Sequence, residues 1–218
     1  MKAVAFFYRS GCAPRGRLKR SALLSLLLSA VGALYLIPVA SAAGVSGRVI
    51  GWPPQGAGGP AVVWLESVRV RSAPNAYLVM AQHDGRFVPA FLVAAVGQIV
   101  EMPNRDEVAH NVFSATPLHE FNLGLYAMGE RKEVTFDRPG LVEVACSIHR
   151  FMRARILVVP SALYATVSPD GSYAIPNVPA GNYTLRFWAD GKTAFSLEIA
   201  VPPAGRTHLD FAAGEADR

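Results

Sequence analysis

From residue 44 onward the sequence is cut into apolar runs too short, and too regularly interrupted, to fold as anything but strands. The runs are "VSGRVI", "AVVWLES", "AYLVMAQ", "AFLVAAV", "QIVEMPN", "HNVFS", "KEVTF", "LVEVAC", "RARILVV", "SYAIP", "NYTLRFWA", "FSLEIAV" and "THLDFA". They are rich in β-branched and aromatic residues, and no stretch repeats its apolar positions with the helical period. Turn chemistry falls between them, at Asp84-Gly85, Arg138 to Gly140, Pro169 to Gly171 and Pro179 to Gly181. Many short strands at even spacing predict an all-β chain folded as sandwiches or barrels.

The first 42 residues read differently. Six basic residues and no acidic one precede the apolar run "ALLSLLLSAVGALYLIPV", which ends in the small-residue site "ASA". That order is the pattern of a secretory signal, cut after Ala42 or Ala43 or else retained as an anchor. Residues 1–42 are therefore expected to direct export to the periplasm or an equivalent compartment. Of 21 Lys and Arg, six lie in this leader, while all 16 Asp and Glu lie beyond it, so the remainder carries about −1. The basic balance belongs to the leader and implies no nucleic-acid partner. A membrane partner follows only if the leader stays.

Export also isolates one thiol. The chain has two cysteines, Cys12 in the leader and Cys146. In a compartment that favours disulfides, a lone cysteine is buried and inert, paired between chains, or bound to a metal. Its neighbourhood favours the last. In "LVEVAC" the period of two puts Val142, Val144 and Cys146 on one face. The short connection "SIHRFM" then carries His149 and Met152, and "RARILVV" resumes with Ala154, Ile156 and Val158 inward. A fourth donor must come from elsewhere, and His110, opening "HNVFS", is the best placed; His119 is the substitute. One thiolate, two imidazoles and a thioether form the donor set of a blue-copper electron-transfer site. Zinc suits a thioether poorly. A Cys-His nucleophile pair lacks a third group to orient its base. The plain alternative makes Cys146 a small core hydrophobe. Met80, Met102 and Met128 are read as core, as are Trp52, Trp64 and Trp188, and His83 and His208 as surface residues beside turns.

"CSIHRFM" has the Cys-x2-His-x2-Met spacing of the amicyanin-like loop, and in it the sequence resembles the cupredoxins. "VGQIVEMPNRDEVAHNVFS" resembles the stretch ending in the first histidine ligand of that family, and "VTFDRPGLVEVAC" the strands leading to its cysteine. The resemblance spans about Tyr77 to Val159. It implies equatorial ligands His110, Cys146 and His149, an axial Met152, and one type 1 copper per chain. It further implies that Asn111 ties its strand to Ser147, through the Ser147 backbone or hydroxyl. Arg150 stands where these loops often have Pro. Phe151, Pro117 and Leu118 are expected to form an apolar docking patch around His149, with Arg150 selecting acidic redox partners. "DGSYAIPNVPAGNYTLRFW" resembles a carboxypeptidase regulatory-like, transthyretin-type sandwich, and "VSGRVIGWPPQGAGGPAVVWLES" its first two strands. The implied organisation is a leader at 1–42, first strands of that sandwich at 44–70, a Greek-key cupredoxin sandwich at 75–160, and the rest of the small sandwich at 161–213. The implied function is an exported one-electron carrier rather than an enzyme. Copper delivery or storage without turnover, or a purely structural interaction module, are the alternatives.

Overall fold

A computed structural model describes residues 43–52, 59–67, 77–189 and 192–213. The leader and its cleavage site, with Cys12, lie outside the described residues, as do 68–76 at the expected module boundary. No helix among the described residues is long and apolar enough to cross a membrane. The fold is all-β. In chain order the strands are β1 (Gly44–Ile50), β2 (Ala61–Glu66), β3 (Leu78–Val79), β4 (Ala81–His83), β5 (Arg86–Val88) and β6 (Phe91–Ala95). There follow β7 (Ile99–Pro103), β8 (His110–Ser114), β9 (Phe121–Tyr126), β10 (Arg131–Thr135), β11 (Gly140–Ala145) and β12 (Arg153–Val159). The last are β13 (Tyr164–Thr166), β14 (Ser172–Ile175), β15 (Gly181–Ala189), β16 (Lys192–Val201), β17 (Arg206–His208) and β18 (Phe211–Ala212).

The middle strands form a Greek-key sandwich. One sheet runs β6-β12-β11-β8-β9 and the other β10-β7-β3, so the chain crosses between the sheets on either side of β7 and of β10. Between the sheets lies a core that includes Met80, Phe87, Val100, Met102, Val142, Val144, Ile156 and Cys146. Strands from the two ends of the sequence pair with each other. β1 is antiparallel to β14 and parallel to β17 and β18, and β2 lies between β13 and β15. Their core holds Val45, Val63, Leu65, Tyr173, Leu185, Phe187 and Phe211.

A third apolar cluster joins the two sandwiches. Alternate residues of β2 turn away from their own core: Val62 and Trp64 meet Val93, Leu157, Val159 and Trp188. Trp188 stacks on Phe91, with centroids 5.6 Å apart and planes 14° apart, and the Arg155 guanidinium covers the same ring. The Tyr164 hydroxyl donates to the Val93 carbonyl at 3.1 Å. Burial on both faces explains why "AVVWLE" and "ILVV" are apolar without alternation.

Where β1 meets the C-terminal strands, one glycine is obligatory. A Cβ on Gly47 would stand 1.8 Å from the Leu209 carbonyl oxygen. That carbonyl accepts the Tyr173 hydroxyl at 2.7 Å, while the Arg48 N–H goes to the Asp210 carboxylate at 2.7 Å. The run "THLDFA" is therefore two strands, β17 and β18: the Leu209 N–H still bonds the Ser46 carbonyl, but the Leu209 carbonyl and the Arg48 N–H are given to side chains. Three further strands, β5, β9 and β13, are absent from the sequence reading. In β9 the motif Asn122-x-Gly124 forms a local turn, with the Gly124 N–H donating to Asn122 Oδ1 at 2.9 Å and Gly124 at φ 71°, and the ladder with β8 absorbs it as a register shift. Met128, read as core, is exposed instead: it lies in the turn between β9 and β10, where Gly129 has φ 81° and the chain reverses at the surface.

Burial, and then the Asp210 charge, raises the pKa of Tyr173 above the usual tyrosine value. The folded state thus holds the phenol proton more tightly, so its contribution is complete below pH ~10 and is lost as pH rises beyond it. Tyr173→Phe should cost about 1 kcal/mol in urea denaturation at pH 8, by loss of the bond to Leu209. The gap should narrow at pH ~11, where only the tyrosine form has an acidic proton to release.

Candidate metal centre

Alternation along β11 places Val142, Val144 and Cys146 inward, and all three are buried, while Glu143 faces solvent. The β11–β12 ladder runs from Gly140↔Val158 to Ala145↔Arg153. Beyond it the Cys146 N–H bonds the Met152 carbonyl at 3.2 Å and the Met152 N–H bonds the His149 carbonyl at 2.9 Å. These two bonds close residues 146–152 into a tight loop. The loop turns His149 back over the sulfur and leaves Met152 fully buried in the same core as Cys146.

His110 arrives from the neighbouring strand of the same sheet, at the start of β8 and beside Tyr126 of β9. Its Nδ1 lies 3.0 Å from His149 Nδ1 and 4.0 Å from Cys146 Sγ, and His149 Nδ1 lies 3.8 Å from the same sulfur. With metal–nitrogen bonds near 2.0 Å and metal–sulfur bonds near 2.3 Å, three donors spread in a plane stand about 3.5–3.7 Å apart. The observed separations bracket those values. The three donors therefore fit a single soft ion with small adjustments, and the thioether-bearing Met152 belongs to the same loop. His119 does not join them. It is buried against Phe136 and the Gly140 backbone.

Asp106 is the residue the sequence reading missed. Its carboxylate accepts His110 Nε2–H at 2.8 Å and the Gly85 N–H at 3.0 Å. With Nε2 protonated, the His110 Nδ1 lone pair faces the sulfur and is free to bind a metal. Burial alone would raise the Asp106 pKa. The bonds from Gly85, His110 and Asp84 outweigh it and hold the carboxyl below its ordinary value. The only clue in the sequence is the spacing of four residues between Asp106 and His110. The bend that makes it effective comes from Asn104, whose Oδ1 accepts the Asp106 N–H at 2.9 Å and whose amide donates to the Val108 and Tyr126 carbonyls. The Asp84-Gly85 turn, with φ of 52° and 65°, delivers the Gly85 N–H.

Asn111 does not make the expected bond. Its amide donates to Asn122 Oδ1 at 2.7 Å, and its own Oδ1 is buried with no hydrogen-bond partner among the described residues. The register shift between Asn111 and Phe113 turns the side chain toward β9 instead of toward Ser147. Ser147 itself is exposed.

The expected docking residues occupy two places. Phe151, 74% exposed, lies 5.8 Å from the His149 ring and beside Gly85. Pro117 and Arg150 instead line a cleft on the outer face of β11. Leu118 is 73% exposed and has φ 67°, a left-handed conformation that leucine rarely adopts.

No protein-family model matches this sequence, and no curated protein matches it. Among solved structures, a stretch covering 44% of the chain is similar to part of a copper-containing nitrite reductase from Thermus scotoductus, at 24% identity and a TM-score of 0.38. The match spans a quarter of that reductase, 25% of its length. The same share of the chain is similar to a reduced Cu(I) form of an amicyanin variant, at 20% identity and a TM-score of 0.37, over 98% of amicyanin. An oxidized amicyanin variant is similar to the same extent, at 20% identity.

Proposed function

We propose that this chain is an exported type 1 copper protein that carries single electrons between redox partners. One observation carries the reading: the convergence of His110 Nδ1, His149 Nδ1 and Cys146 Sγ at a buried point, in a loop that also buries Met152. A bound copper ion would supply a one-electron cycle between Cu(I) and Cu(II). The chain's own residues keep the donors from moving. Cys146 closes a strand paired on both sides, His110 is clamped from behind by Asp106, and backbone bonds fix the His149 loop. Fixed donors favour electron exchange over metal release, which sets this reading above delivery or storage. His149 is the half-buried ligand, and exposed Phe151 beside it offers an apolar contact for a redox protein. On this reading residues 75–160 form the copper module, inserted into a regulatory-like sandwich of 44–70 and 161–213 that has a docking or structural role. The protein acts in the periplasm or an equivalent compartment, and on a membrane only if the leader remains.

Titration of Ala43–Arg218 with Cu(II), followed by visible absorption and electron paramagnetic resonance, tests the proposal. An intense blue band saturating at one copper per chain, with small parallel hyperfine splitting, supports it. A colourless protein, or the faint colour of a nitrogen-oxygen site, overturns it. Asp106→Ala should weaken copper binding roughly 10- to 100-fold, because His110 loses the acceptor that fixes its tautomer. Competition with a chelator of known affinity measures this.

A further inference from the structure

The cleft on the outer face of β11 has a definite origin. β8 and β11 pair at Phe113↔Ala145, but the next bond from β11, the Glu143 N–H, goes to the Thr116 hydroxyl at 2.9 Å. The chain after Ser114 thus leaves the sheet, and its Pro117 becomes one wall of a cleft of about 710 Å³. The floor is apolar, made by Phe113, Leu141 and Ala145, and reaches Cys146. Volume and lining suit a small organic molecule.

Charge narrows the choice. Arg150 and Arg153 line the cleft at the end nearest Cys146, and among the described residues neither has an ion pair. Two guanidiniums without ion pairs outnumber the single Glu143 carboxylate, and above an apolar floor they match one carboxylate carried on an apolar body. Glu143, exposed and also lining the cleft, repels a second negative charge on the ligand. We propose that this cleft binds a small organic monocarboxylate, and that its occupancy lowers the reduction potential of copper held by Cys146. The second clause rests on the copper reading above; the first does not. The cleft and the metal centre share the Cys146 strand end. A monocarboxylate there offsets one of the positive charges that disfavour the more highly charged oxidised metal.

Calorimetric titration of the full chain with benzoate, without and with copper, tests both clauses. Saturable one-to-one binding is expected in each state, weakened about tenfold or more by Arg153→Gln and by Arg150→Gln, with circular dichroism confirming the fold. Phthalate, with its second carboxylate, should bind more weakly than benzoate and recover in Glu143→Gln. Voltammetry of the copper-loaded chain should show a more negative midpoint with benzoate, and no shift in Arg153→Gln at the same benzoate concentration. Absent or unsaturable binding, or binding indifferent to both arginines, overturns the cleft. Copper uptake without benzoate binding removes the cleft and leaves the copper reading standing. Benzoate binding without copper uptake does the reverse. An unchanged midpoint in a chain that binds both removes the coupling alone.

Discussion

On the proposed copper assignment, Cys146→Ser should abolish the intense visible absorption of the copper-loaded protein while the sandwich stays folded. The colour of such a site is a sulfur-to-copper charge transfer, and Cys146 is the only cysteine among the described residues. A serine hydroxyl at the same place is a harder, more basic donor that does not deprotonate near neutral pH, so no residual band of comparable strength is expected. The substitution puts a hydroxyl into a site that is 3% exposed, at a cost of about 1–3 kcal/mol if the group finds no partner. Far-ultraviolet circular dichroism separates loss of colour from loss of fold. A band surviving in the serine variant would remove Cys146 from the ligand set and, with it, the redox assignment.

Gly47→Ala should be the most damaging single-methyl change in the other sandwich. The new Cβ would stand 1.8 Å from the Leu209 oxygen and 2.5 Å from its carbonyl carbon, both backbone atoms. No side-chain rotation relieves such a contact, so β1 must separate from the segment between β17 and β18. That movement also breaks the Leu209 N–H bond to Ser46 and disturbs the Tyr173 bond to Leu209. Overpacking usually costs ~1–3 kcal/mol, and a clash between backbones lies at or above the upper end of that range. A fall in Tm on the order of 10 °C is expected for a unit of this size. Thermal unfolding within a degree or two of the parent would show that β1 and Leu209 are not so closely opposed.

Legibility from sequence followed physical locality. Cys146, His149 and Met152 sit in one seven-residue loop, so strand alternation and loop length alone bring them together. His110 was legible because it opens a strand after a turn-like segment, and a side chain there points across the sandwich. Asp106 was not legible: its role depends on the Asn104 turn and on the Gly85 N–H, a contact spanning 21 residues. The Asn111 reading failed on a bulge, which a period-two argument cannot anticipate. Apolar runs without alternation in β2 and β12 marked strands buried on both faces, yet nothing local said that the two would share one cluster, with Trp188 of β15 between them. β9 was hidden because Asn122 and Gly124 carry turn chemistry within a strand.

The pairing of β1 with β17 and β18 has a consequence for how the molecule assembles as it is made. Of the described strands β1 and β2 are synthesised first, but the strands they pair with follow only after the whole Greek-key unit has emerged. Register partners such as Val45 and Thr207 are separated by nearly the full described chain. Loop closure over that distance is slow unless the intervening segment is already compact. A central sandwich that collapses early would act as a clamp in time as well as in space, bringing the two ends of the chain into reach. Until then β1 and β2 expose unpaired edges, and during that interval the growing chain is most open to aggregation or to a chaperone.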